Sequence, residues 1–186
     1  MNATVRTRET SINVWSYYVR LFHWALVLSV AVAWLTSGEI MMVHKYAGYL
    51  AIALVASRLT AGLFGSGYTR FAQFVRSPRQ TLNYLKDIAH KRERRYIGHN
   101  PAGAAMVLAL LACICGIALT GWMQTTDAYW GVAWVQLVHE LLGNAILVLI
   151  AIHIAGVALA SIRHGENLVR SMINGRKRSP DVGDIA

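Results

Sequence analysis

His139-Glu-Leu-Leu-Gly-Asn-Ala-Ile-Leu-Val-Leu-Ile-Ala-Ile-His153 is an apolar stretch with an imidazole at each end. The two histidines are 14 positions apart, which in a helix is ~21 Å of rise and about four turns with a residual rotation of only ~40°. They therefore share one face at two depths. The surrounding run, 135–161, is long enough to cross a hydrocarbon core of ~30 Å. Ionisable side chains at such depths are costly and normally face a bundle interior with a partner. One helix can thus serve two sites.

Three more stretches, about 19–38, 44–64 and 101–123, meet the same length requirement. Of 186 residues, 55% are hydrophobic and 15% charged, a balance that excludes an ordinary soluble domain. The expected fold is an all-α integral membrane protein, one four-helix bundle over residues 1–186. The short 39–43 connection makes the first two spans an antiparallel hairpin. The long, polar 65–100 loop is expected to carry an amphipathic helix near Pro78 to Arg92. Asn100-Pro101 is a good helix start, because Asn caps free amides and Pro at the first turn loses no hydrogen bond. Cys113 and Cys115 lie inside an apolar run and read as small core residues. No removable signal peptide is read in the polar segment Met1–Thr10.

The net charge of +9 could suggest nucleic acid, but the cations crowd between apolar runs, where anionic lipid headgroups are the better partners. Arg6, Arg8 and Arg20 precede the first span. Arg70, Arg76, Arg79, Lys86, Lys91, Arg92, Arg94 and Arg95 separate the second from the third, and Arg163, Arg170, Arg176, Lys177 and Arg178 follow the fourth. Short cationic loops stay cytoplasmic, so both termini are expected inside a multi-pass protein of the bacterial inner membrane. The opposite side carries Lys45 and an aromatic belt of Trp122, Tyr129, Trp130 and Trp134. Lys91–Arg95 reads as a solvated, lipid-facing face.

Antiparallel spans pair the histidines. The first span runs outward, placing His23 at the inner depth of His153; the second runs inward, placing His44 at the outer depth of His139. Imidazole pairs without cysteine or carboxylate nearby suit haem iron with two axial histidines better than zinc. With no C-x-x-C-H motif, both haems are expected to be b-type. Gly48, Gly143 and Gly156, one turn from ligands, read as small residues that let helices approach a flat macrocycle. Arg58, 14 positions after His44, and Arg20, one turn before His23, read as propionate partners. His90, His99 and His164 read as solvated loop histidines, and Glu140 as an interfacial carboxylate.

Arg20-Leu-Phe-His-Trp24, His139-Glu-Leu-Leu-Gly-Asn144 and Ala151-Ile-His153 together resemble the bacterial cytochrome b561 family, which the b-type cytochrome subunits of nickel–iron hydrogenases share. The resemblance runs from about Val14 to Arg178 and includes Gly98-His-Asn-Pro-Ala-Gly103 and Glu166-Asn-Leu-Val-Arg170. It implies a di-haem bundle that exchanges electrons between a membrane quinone and a redox partner, such as a periplasmic cytochrome c or a hydrogenase. By position, His23 and His153 would hold the inner haem iron, and His44 and His139 the outer. Arg20, Arg58, Arg70 and Arg76 are candidates near an inner quinone site. Two other classes compete: a haem-free membrane anchor, which would need no paired histidines, and a proton-relay transporter, which would need carboxylates inside the bundle.

Overall fold

The computed structural model describes residues 11–185; Arg6, Arg8 and the rest of Met1–Thr10 lie outside them. In chain order come strand β1 (Ser11–Asn13), helices α1 (Tyr17–Leu35) and α2 (Met41–Phe64), a 3₁₀ turn (Gly67–Thr69), α3 (Phe71–Phe74), α4 (Pro78–Ala89), α5 (Pro101–Met123), α6 (Ala133–Arg163), α7 (Leu168–Asn174) and strand β2 (Arg176–Arg178).

The helices begin where polar side chains satisfy their free amides. Ser16 accepts from the Val19 amide, and Asn100 accepts from the Gly103 amide at 2.7 Å with Pro101 following. Ser77 and Gln80 form a reciprocal capping box ahead of Pro78 in α4. Gly65 ends α2 where any Cβ would stand 2.2 Å from the Ala61 carbonyl oxygen.

α1, α2, α5 and α6 are long and apolar enough to cross a membrane. In α6 only 6% of the most apolar window is buried within the protein, so most of its side chains need lipid as their apolar partner. What core exists is thin: Ala51 and Val55 of α2, Leu111, Cys113 and Ile114 of α5, and Ile146 of α6, with Phe22 and Leu26 of α1 packed on them. Cys115, read as a core residue, is exposed: two positions from Cys113 it lies on another face of α5, beside an open groove against α2. Ser29 ties α1 to α2 by donating to the Ala47 carbonyl at 2.6 Å in a buried contact.

Four alternating helices bring the start of α1, the end of α2, the start of α5 and the end of α6 to one end. Antiparallel pairing of β1 with β2, Ile12 opposite Lys177, sets both ends of the described chain together there. This basic end is a compact cap rather than a set of loops. Arg95 is buried, pairs with Glu166 at 2.9 Å and with Asp184, and donates to the Arg178 carbonyl. Lys177, also buried, donates to the Ile97 carbonyl at 2.9 Å and lies 3.7 Å from Glu166. Glu93 pairs with Arg163 at 2.6 Å. The solvated reading of Lys91–Arg95 therefore fails at its end, because three carboxylates supply the counter-charges that let these cations leave water. The other end exposes Trp34, Trp122, Trp130 and Trp134, as an interfacial belt requires.

Candidate cofactor-binding site

His44 lies in the first turn of α2, where Nδ1 bonds the Ala33 carbonyl of α1 at 2.7 Å. His139, on α6, has Nδ1 3.0 Å from both the Ile117 carbonyl and Thr120 Oγ1 of α5. A carbonyl only accepts, so Nδ1 holds the proton in each ring and Nε2 keeps its lone pair. The ring centroids are 6.1 Å apart and the planes meet at 77°. Two imidazoles sharing one ion through bonds of about 2 Å place their centroids roughly 6 Å apart, so the pair already has the spacing of two axial ligands.

A cavity of about 310 Å³ opens beside the pair, lined by both histidines, Gly48, Gly121, Gly143 and Glu140 among others. A Cβ added at Gly48 or Gly143 would meet nothing within 4 Å, nor would one at Gly156. These glycines make no direct helix contact, and Gly48 and Gly143 leave the room that a flat macrocycle between the helices would need. Close approach falls to α5, where a Cβ on Gly116 would stand 2.8 Å from Leu142 and one on Gly121 3.1 Å from His139.

At the basic end, His23 packs edge-on against Trp24 with centroids 5.0 Å apart, and its buried Nδ1 has no hydrogen-bond partner. His153 is within electrostatic range of it. The chain thus brings His44 and His139 face to face, and sets His23 within electrostatic range of His153 at the other level. Among the described residues no three His, Cys, Asp or Glu side chains converge. A metal between either pair would draw its remaining ligands from a cofactor, which suits a macrocycle with four ring nitrogens.

Arg20 donates to the Ile173 carbonyl and lies over the Tyr17 ring, so it caps α7. Arg58 is 3% exposed, donates to the Thr69 carbonyl at 2.9 Å and stacks on Phe71 at 4.8 Å. Arg70 and Arg76 are exposed at the basic end. His90 is exposed and His164 half-buried, but His99 is no solvated histidine. Trp15 and Phe74 hold its ring at centroid distances of 4.7 and 4.4 Å, and burial, then Arg58 and Lys177, push its pKa down to about 3. Asn100 and Pro101 fix it at the mouth of α5, a position readable in the sequence; its stacking partners, distant in the chain, are not.

Residues 14–175 match the prokaryotic cytochrome b561 family. The chain belongs to that family. This b561-family chain is 25% identical over 220 aligned positions to the probable Ni/Fe-hydrogenase B-type cytochrome subunit of Rhodobacter capsulatus, covering 94% of its own length and 84% of the relative's. No solved structure gives a significant match. Membership makes the protein a membrane-spanning b-type cytochrome with b-type haem and an electron-transfer role. Four groups around the His44–His139 pair carry no signal in the sequence. Thr120 and Gly121 look like ordinary small residues of a helix, and the Ala33 and Ile117 carbonyls have no side-chain signature at all.

Proposed function

We propose that the chain holds two b haems, one between His44 and His139 and one between His23 and His153, and carries electrons across the bacterial inner membrane between quinone and a redox partner. The observation that carries this reading is the His44–His139 pair: centroids 6.1 Å apart, each Nδ1 committed to a backbone carbonyl, beside open space. His44 with His139, and His23 with His153, would each hold one haem, which would supply single-electron exchange. The protein supplies the rest. α6 sets His139 and His153 at two depths, and the tautomer at His44 and His139 is dictated by Ala33 and Ile117. The apolar helices exclude water from both levels.

The basic end faces the cytoplasm in this reading, because cationic connections stay there, and the exposed Arg70 and Arg76 sit where lipid phosphates or an arriving quinone would meet them. The relative's description as a hydrogenase cytochrome subunit supports a partner oxidoreductase; a periplasmic cytochrome c is the other candidate. The test is a reduced-minus-oxidised spectrum with haem quantitation on detergent-purified protein. Two b haems per chain are expected, with His44→Ala and His153→Ala each losing one. Folded protein without haem overturns the reading and leaves a membrane anchor or proton relay.

A further inference from the structure

His99 is enclosed by the cap, yet its ring keeps some accessible surface. Nδ1 is walled off with no partner, whereas Nε2 is not among the sealed atoms and has no hydrogen bond among the described residues. Trp15 and Phe74 both pack against the ring, at centroid distances of 4.7 and 4.4 Å, and hold its orientation. Three groups act on the ring electrostatically, Arg58, Lys177 and His153; Lys177 already has Glu166 3.7 Å away. Arg58 is itself buried, spends one N–H on the Thr69 carbonyl, and has no ion pair among the described residues. A buried guanidinium without an anion is costly, and so is a buried imidazole without a partner. Both costs vanish together if a carboxylate enters between them.

We infer that His99 donates a hydrogen bond from Nε2 to a carboxylate of the cofactor held by His23 and His153, forming with Arg58 a seat for that group. The inference rests on the two-haem reading above and adds a residue to it that sits on no membrane span. An imidazole carries at least one N–H whether neutral or protonated, and with Nδ1 sealed in protein the useful position for it is Nε2. Haem carries two carboxylates, and a donor on one of them lowers the negative potential felt by the iron, which favours the reduced state.

The experiment is a potentiometric titration of the purified holoprotein, followed at the reduced b-haem band, for wild type, His99→Phe and His99→Gln. Phe keeps the stacking between Trp15 and Phe74; Gln returns an N–H near the position of Nε2. The expected result is two haems per chain in all three proteins. In His99→Phe one of the two midpoints moves to lower potential while the other stays, and His99→Gln brings it back. Loss of one haem in His99→Phe with retention in His99→Gln supports the same assignment. Two unchanged midpoints in His99→Phe overturn it, and so does loss of one haem in both variants, since then only the ring's packing matters. Failure of the two-haem reading itself is seen separately, as wild-type protein that contains fewer than two haems before any titration.

Discussion

An imidazole can present one nitrogen to a metal reliably only when its other nitrogen is told what to do. At His44 and His139 that instruction comes from Ala33 and Ile117 carbonyls on neighbouring helices, so the pairing of the two rings was legible in the histidine spacing while the orienting groups were not. The glycines show the same divide. Gly48 and Gly143 face open space and Gly116 faces Leu142 at 2.8 Å, although all three are glycines within apolar helices. Gly48→Leu is therefore expected to fold with little loss of stability and to lose one haem by filling its space. Gly116→Leu is expected to overpack the α5–α6 contact at a cost of about 1–3 kcal/mol. Haem per chain and thermal unfolding in detergent separate the two outcomes; Gly48→Leu with full haem content would contradict the cradle.

Helix starts are local chemistry, and Ser16, Ser77 and Asn100 act as caps where the sequence indicated. The cap at the basic end is not local: Arg95 meets Glu166 across 71 positions and Asp184 across 89. Arg95→Ala is expected to cost about 3 kcal/mol or more, because it leaves two enclosed carboxylates short of a cation; thermal unfolding measures it. Burial alone would raise the Glu166 carboxyl, but hydrogen bonds from Arg95 and the Arg178 amide, with the Lys177 charge, outweigh it and hold it below the ordinary carboxylate range. Its contribution is thus complete above the unfolded pKa of ~4.3 and disappears as pH falls through the lower folded value. His99 acts earlier. Neutral in the fold down to about pH 3, it takes up a proton in the unfolded chain below pH ~6.5, so stability falls by up to about 1.4 kcal/mol per pH unit between those limits. A stability profile that declines from near pH 6.5 is expected, with His99→Phe removing the upper part of that decline and Arg95→Ala reducing the part below pH ~4.

Across the whole molecule the cations gather at one end, and β1 pairing with β2 holds both ends of the described chain on that side. Reporter fusions test the sidedness directly. Green fluorescent protein fused after Ala186 is expected to fluoresce and alkaline phosphatase at the same point to be inactive; the reverse pattern would place the basic end outside the cytoplasm. The thin core and the outward-facing α6 also predict that detergent choice shifts apparent stability far more than any single core substitution, which a thermal-unfolding screen across detergents checks.

The sequence alone determined the four spans, their alternation, the two-level histidine arrangement and the family, because bilayer thickness and helix pitch convert directly into residue counts. Only the tertiary structure decided that Gly48 and Gly143 open a cavity instead of closing a contact, that Arg95 and Lys177 are buried in an ion-paired cap, and that His99 lies inside. Each of these depends on a partner tens of residues away in the chain, and spacing along one helix carries no information about which neighbour that helix will meet.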